Sequence, residues 1–305
     1  MKSKIGYLYN IEVKNIIKLT PNCYKIIANE SSYLLKKVDT LNKENIYIRL
    51  LLSKVPFFNL PLKSINDRFV EEIEQNYYSL SYFYKDEVNP LVELRIPFYI
   101  KAIGLLHQNT IYPLKVNDGY FKESLDYIEN KINIIRDKID SRMFYLERRD
   151  YHSPSEWYYI TSYPFFNDAL NKSQKYLDLL NSEFESLQNI ELTLTYQNFE
   201  IEHILLKEEK IVSLEKIQYA PCVYDLVDFV EKNFNSKIDI SALINNYLAI
   251  NPLNLYQKYW LLALLYIPQI IQESNEIKDI EAIYLSLNYI KIIEKIESVL
   301  LPDEN

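Results

Sequence analysis

The fold is decided by one stretch in the second half of the chain, residues 194–206, which read LTYQNFEIEHILL. After a short turn, residues 211–215 follow with the letters IVSLE. Apolar runs flank a short polar loop, and such runs between turn residues are typical of short strands. The stretch therefore predicts a strand, a polar loop, a second strand, a turn and a third strand.

The first part of the chain predicts a small antiparallel sheet. Residues 15–38 contain three runs rich in β-branched and aromatic residues, with turn residues between them. This spacing is the signature of a β-meander. A helix is predicted at residues 41–53, and two further strands are predicted at 62–65 and 76–83.

From about residue 95 the hydrophobic period becomes helical, apart from the central strands. Amphipathic stretches predict long helices at 121–148 and 165–188, separated by the proline- and aromatic-rich segment 151–164. Shorter helices are predicted after the central strands, at residues 224–233, 240–249, 255–274 and 277–299. The order of elements predicts an α+β chain in two lobes. A small antiparallel β-rich N-terminal lobe covers residues 1–84, and a larger, mostly helical C-terminal lobe covers 85–305.

Composition narrows the classes of partner. The net charge of −8 argues against nucleic-acid binding, which depends on lysine and arginine. The 2 cysteines and 3 histidines match no metal-site spacing, and the apolar run at 260–267 is too short to span a membrane. We expect no nucleic-acid, membrane or metal partner. Because the start of the chain has no apolar signal region, we expect synthesis in the cytoplasm without a signal peptide.

Residues 196–205 resemble the motif His-Gly-Asp-Leu-His-Pro-Gly-Asn-Ile-Leu of aminoglycoside phosphotransferases and choline kinases. Tyr196 replaces the first histidine, Asn198 replaces the catalytic aspartate and His203 replaces the metal-binding asparagine. Glu215 stands where the second Mg²⁺ carboxylate is expected. Asparagine cannot accept a proton as a carboxylate does, and Mg²⁺ prefers oxygen to histidine nitrogen. The resemblance implies a bilobal protein-kinase-like, aminoglycoside phosphotransferase-like fold with an altered site.

Lys36 is the candidate phosphate-binding lysine, because it ends the third predicted strand in the run YLLKK. Its expected ion-pair partner is Glu44 on the following helix. With Asn198, His203 and Glu215, these residues form a degenerate cofactor-binding set, and no catalytic or metal-binding residue is assigned. All five also fit the simpler interpretation of ordinary strand-end, helix or loop residues.

The chain also resembles the YutH/CotS-type kinase-like spore coat proteins of endospore-forming bacteria. The similar segments are the strand YLLKK at 33–37, WYYITSYPFF at 157–166, YDLVDFV at 224–230 and NPL at 251–253 before a leucine-rich helix. This resemblance implies a pseudokinase in the spore coat, with other coat proteins as partners and no cofactor.

An alternative stays open, because several charged positions of the kinase site are filled. In it the chain is an active aminoglycoside- or choline-type phosphotransferase, and Lys36, Glu215 and His203 handle ATP and Mg²⁺. A third hypothesis, a helical scaffold unrelated to kinases, requires that the first strands fail to pair with each other.

Overall fold

The structure is a computed structural model that describes residues 1–29, 31–84, 92–115, 118–269 and 275–302. By its internal contacts the chain divides into two compact units. The first unit contains Met1–Ile111 and Thr193–Ala220, and the second contains Tyr112–Leu192 and Pro221–Asn305. The lobe boundary predicted after residue 84 lies next to residues 85–91, which are outside the described ranges, so that boundary stays a prediction.

The first unit opens with a five-stranded antiparallel sheet. Its strands stand in the order β1-β2-β3-β5-β4. The elements of this part are α1 (Lys2–Tyr9), β1 (Val13–Thr20), β2 (Cys23–Ala28), β3 (Ser32–Val38), α2 (Lys43–Leu52), β4 (Val70–Ile73), β5 (Asn76–Tyr82) and α3 (Val92–Thr110). The predicted meander is confirmed, and the pairing of the first strands excludes the hypothesis of an unrelated helical scaffold.

Strand β3 separates a core face from a more open face. Along residues 33–36 the burial alternates. Tyr33 and Leu35 are buried, whereas Leu34 and Lys36 are half-buried. Leu35 packs in an apolar cluster with Ile5 of α1, and both side chains are fully buried. This alternation of period two fixes the register of the strand and turns Lys36 away from the apolar cluster.

The strand predicted at residues 62–65 is wrong. The Leu62 N–H donates to the Leu80 carbonyl of β5, but the Ser64 N–H donates to the Arg68 carbonyl. The backbone thus turns after one ladder bond, and Asp67 lies in the left-handed region with φ 58°. The fifth strand of the sheet is instead β4. The helix α1 was not predicted from the sequence.

The decisive stretch lies in the first unit, as strands and turns. The end of β7 (Asn189–Thr195) pairs with β10 (Gln218–Ala220), and β8 (Ile204–Leu205) pairs with β9 (Lys210–Ile211). The Leu194 N–H donates to Thr110 Oγ1 at the end of α3, 2.9 Å away. The predicted order of strand, polar loop, strand, turn and strand is confirmed. The third strand, predicted over residues 211–215, is wrong in its extent, because β9 ends at Ile211 and Leu214–Lys216 forms a 3₁₀ turn, as Ile201–His203 does before β8.

The second unit is mostly helical, as predicted. Its elements are β6 (Tyr112–Lys115), which pairs with the start of β7, and the helices α4 (Asp118–Leu146), α5 (Pro154–Ser186), α6 (Val223–Asn233), α7 (Ile240–Ile250), α8 (Leu255–Leu265) and α9 (Glu276–Leu300). Trp260 is fully buried at the centre of the unit, with the ring of Phe184 packed edge-on against it.

Two helix ends differ from the prediction. Helix α5 begins at Pro154, where Ser153 and Glu156 form a capping box, and it continues through Pro164. The segment 151–164 is therefore mainly helical rather than a connector. Helix α8 ends at Leu265, and its predicted extension reaches residues 270–274, which lie outside the described part. Within the described ranges, no helix is both long and apolar enough to cross a membrane.

Candidate functional site

The ammonium group of Lys36 is fully engaged by its own chain. Lys36 Nζ lies 3.0 and 3.1 Å from the two carboxylate oxygens of Glu215, and 3.1 Å from Ser213 Oγ. A lysine ammonium has three protons to donate. The geometry therefore uses every donor of the candidate phosphate lysine.

Glu44 does not pair with Lys36, so this part of the prediction is wrong. The Glu44 carboxylate accepts hydrogen bonds from the backbone N–H groups of Phe69 and Val70, at 2.9 and 2.8 Å. It thereby holds helix α2 to the start of strand β4. The backbone N–H groups of Phe69 and Val70 thus supply the hydrogen bonds of the Glu44 carboxylate. Glu215 occupies the position beside Lys36 that was predicted for Glu44.

The Asn198 side chain stabilises the loop by a hydrogen bond to the backbone of Ser213. Its side-chain amide Nδ2 donates to the Ser213 carbonyl, 3.0 Å away, and the residue is 8% exposed. Ser213 has a left-handed backbone, with φ 64° and ψ 57°. A residue other than glycine in that region costs energy, of the order of 1 kcal/mol. The bonds to Asn198 and Lys36 hold Ser213 in this conformation.

His203 is fixed by two groups that can only accept from it. Tyr196 OH donates its proton to the Val212 carbonyl at 2.6 Å, so towards His203 Nδ1, 3.1 Å away, the hydroxyl can only accept. The Asn198 carbonyl, 3.0 Å from the same nitrogen, can also only accept. His203 Nδ1 therefore carries a proton and cannot coordinate a metal ion.

A small cavity lies beside these residues, with a volume of about 160 Å³. One wall is the open face of the sheet, where Leu34 and Lys36 of β3 stand opposite Ser81 and Ser79 of β5. The remaining lining comes from α2, from the segments 59–61 and 82–84, and from residues 202–215. The cavity is also bordered by the ion-paired Lys36 and Glu215 and by Ser213 and Leu214.

Burial and nearby charge shift the acid–base behaviour of the groups around the cavity. Burial, together with Glu215 and Glu44, raises the pKa of Tyr47 to about 12 against a lowering contribution from the Ser79 hydrogen bond. Burial lowers the pKa of Lys43, whose Nζ donates to the Ile217 carbonyl. Burial also raises the pKa of the Cys23 thiol, and Glu215 adds to the rise. Cys23 is the cross-strand neighbour of Lys36.

The residues present do not fit a magnesium nucleotide. Glu215 already pairs with Lys36, His203 offers nitrogen, and among the described residues no three His, Cys, Asp or Glu side chains group as a metal site. Mg²⁺ is held by near-octahedral oxygen ligands, usually carboxylates. The turn between β1 and β2 is the two-residue Pro21–Asn22, and Pro21 lacks an N–H for a phosphate oxygen.

The structure thus brings four of the five predicted site residues, Lys36, Asn198, His203 and Glu215, into one hydrogen-bonded network and leaves Glu44 outside it. Sequence reasoning missed Ser213, which joins the lysine side of the network to Asn198. It also missed the role of the Tyr196 hydroxyl. Ser213 gave no sequence signal, because a left-handed turn residue is normally recognised as glycine or asparagine.

Comparisons with known proteins relate this chain to others by structure. No protein-family model matches it, and no curated protein sequence matches it. An aminoglycoside phosphotransferase from Alicyclobacillus acidocaldarius superposes with a TM-score of 0.68 at 9% identity, over 96% of this chain and 92% of that one. The AMP-bound complex of spectinomycin phosphotransferase superposes with a TM-score of 0.54 at 12% identity, over 100% and 98% of the two chains.

These similarities establish the fold. The described chain has the aminoglycoside phosphotransferase-like fold, with an antiparallel sheet in its N-terminal region and helices in its C-terminal part. The predicted fold class is confirmed.

Proposed function

We propose that this chain is a pseudokinase, a protein with a phosphotransferase fold that acts by binding and does not transfer phosphate. One observation carries the proposal. At the position of the catalytic carboxylate stands Asn198, a neutral residue whose amide nitrogen is bound to the Ser213 carbonyl. Loss of acid–base catalysis alone typically lowers a rate by about 10² to 10⁴.

The arrangement of charges supports the same proposal. In phosphoryl transfer a lysine and metal ions neutralise the charge that develops on the phosphates. Here Glu215 neutralises the lysine, with N–O distances of 3.0 and 3.1 Å. A triphosphate that approached Lys36 would first have to displace this carboxylate and then meet it as a like charge.

The alternative is an active small-molecule phosphotransferase. The observation in its favour is that Lys36 of strand β3 and Glu215 of the 3₁₀ turn Leu214–Lys216, which are far apart in sequence, meet at one place in a fold shared with phosphotransferases. In this alternative ATP and Mg²⁺ would part the two side chains on binding.

A phosphotransfer assay separates the two functions. The chain, the variant Asn198→Asp and the control Asn189→Asp are incubated with Mg-ATP and a panel of amino-sugar antibiotics and choline. We expect all three proteins to stay at the uncatalysed rate, because Asn198→Asp restores a carboxylate but not a metal site. The alternative requires turnover by the unmodified chain, and an increase of about 10² to 10⁴ in Asn198→Asp alone.

We further propose that this pseudokinase is a component of the bacterial spore coat, with other coat proteins as its partners. The support is the ordered similarity of residues 33–37, 157–166, 224–230 and 251–253 to kinase-like coat proteins. A tagged copy expressed in its own host should purify with the coat fraction of spores. A host that forms no spores, or a protein found only in the growing cell, would refute this localisation.

A further inference from the structure

We infer that the cavity beside Lys36 binds a small uncharged molecule with one aromatic ring and an amide-like polar group. This inference deepens the proposed function, because it rests on a site that does not take a magnesium nucleotide. Three properties of the cavity carry it: its volume, the charge of its lining and two polar atoms that have no hydrogen-bond partner among the described residues.

The volume limits the ligand to a single ring. The cavity measures about 160 Å³. Sites for drug-sized ligands measure roughly 300 to 1,000 Å³, whereas an engineered cavity of about 150 Å³ holds benzene. Aromatic and aliphatic side chains dominate the lining, among them Leu34, Tyr47, Phe83 and Leu214. Such a lining favours the flat apolar face of a ring.

The charge of the lining disfavours an anion. Three charged side chains of the described residues border the cavity, namely Lys36, Glu202 and Glu215. Lys36 and Glu215 neutralise each other, and Glu202 leaves one negative charge in excess. A carboxylate or phosphate ligand would therefore meet repulsion without a free cation to offset its loss of hydration.

Two polar atoms of the lining are available to a ligand. The Asn59 amide nitrogen donates to the Tyr82 carbonyl at 3.0 Å, but among the described residues nothing donates to Asn59 Oδ1. Ser81 Oγ likewise has no hydrogen-bond partner in the described part of the chain. The amide oxygen can only accept, and the hydroxyl can donate. A primary amide offers the matching N–H donor and carbonyl acceptor.

Benzamide is the probe for this inference, and benzoate is its matched control of the same size with a negative charge. Isothermal titration should show one benzamide bound per chain and at least about 10-fold weaker binding of benzoate. Ser81→Ala should weaken benzamide binding about 2- to 10-fold, because it removes one hydrogen bond. Ser81→Leu should abolish binding by filling the cavity. Ser182→Ala removes an exposed hydroxyl of α5 and should leave the affinity unchanged.

The titrations distinguish binding of benzamide in this cavity from unspecific binding elsewhere on the chain. No benzamide binding to a folded chain overturns the inference, as does equal binding of benzamide and benzoate. Unchanged affinity in a folded Ser81→Leu variant overturns it as well, because the ligand would then lie elsewhere. Phosphotransfer in the separate assay would overturn the proposed function, and the benzamide result would still report on the cavity by itself.

Discussion

The ion pair Lys36–Glu215 in the first unit and the ion pair Arg142–Asp279 in the second unit differ in their access to solvent. The side chains of Lys36 and Glu215 are 22% and 43% exposed, whereas those of Arg142 and Asp279 are 11% and 6% exposed. Arg142 Nη2 lies 2.5 Å from Asp279 Oδ2, and the guanidinium stacks on the Tyr159 ring. The buried pair ties α4 to the first turn of α9, while the open pair borders a cavity.

The difference in solvent exposure determines how easily each ion pair can be rearranged. A buried ion that loses its partner keeps its desolvation penalty, so such a pair is permanent structure. A pair that water reaches can exchange its partners at small cost. Of the two, the Lys36–Glu215 pair beside the cavity is therefore the one that a ligand or partner protein can rearrange.

Alkaline pH is expected to have the largest effect, because it acts on both units at once. Burial raises the pKa of Tyr47 in the first unit and of Tyr256 in the second to about 12. Between pH 10 and pH 12 the unfolded chain loses these protons and the folded chain keeps them, so stability is full below pH 10 and falls as the pH rises. The two tyrosines together should lower the free energy of unfolding by about 4 kcal/mol between pH 10 and pH 12.

Urea unfolding at pH 8, 10 and 11.5 measures this loss. Tyr47→Phe should flatten the dependence on pH, and Tyr7→Phe, at a side chain that is 73% exposed, should not. A stability that is constant up to pH 11.5 would contradict the assigned burial of these tyrosines.

Breaking the buried pair is the next largest effect. Arg142→Ala should lower the free energy of unfolding by about 3 kcal/mol, because the buried Asp279 carboxylate loses the guanidinium group 2.5 Å away. The control is Arg136→Ala on the same helix, where the guanidinium contacts only the side-chain oxygens of Asn167 and Asn171, and a loss of under about 1 kcal/mol is expected. Equal losses in the two variants would show that the buried Arg142–Asp279 pair contributes no more to stability than the hydrogen bonds of Arg136 to two asparagines.

Breaking the open pair should have the smallest effect on stability. Lys36→Met should change the free energy of unfolding by under about 1 kcal/mol, since both charged groups reach water. Lys37→Met, at an exposed neighbouring position of β3, serves as the control. A loss of 3 kcal/mol or more in Lys36→Met alone would show that the pair is structural.

Much of the fold follows from local sequence patterns. The alternation in β3 and the helical periods of the second unit correctly predict those elements, because the burial of apolar side chains imposes the same period on sequence and structure. The strand predicted at 62–65 does not form, because the Ser64 N–H donates locally to the Arg68 carbonyl. The hydrophobic pattern of the sequence carries no signal for this backbone hydrogen bond. Helix α5 begins at Pro154 and continues through Pro164, whereas the predicted helix began only at residue 165.

The site was less predictable than the fold. The structure joins Lys36, Asn198, His203 and Glu215, which the sequence assigned to one set, through hydrogen bonds, and their role as a degenerate cofactor site stays a prediction. Sequence reasoning misassigned Glu44, because the N–H groups of Phe69 and Val70 that bind this carboxylate are 25 and 26 residues away and carry no side-chain signal. It also missed Ser213, whose left-handed backbone depends on bonds from Asn198 and Lys36.

We propose that the cavity beside Lys36 and Glu215 does not bind a magnesium nucleotide. Thermal unfolding in the presence of Mg-ATP, with ATP alone and Mg²⁺ alone as controls, tests it most directly. We expect the midpoint of unfolding to stay unchanged up to millimolar ATP. A nucleotide bound at about 100 times its Kd would add about 2.7 kcal/mol of stability. A stabilisation of that size that requires Mg²⁺ and disappears in Lys36→Met would show that the site beside Lys36 does bind a magnesium nucleotide.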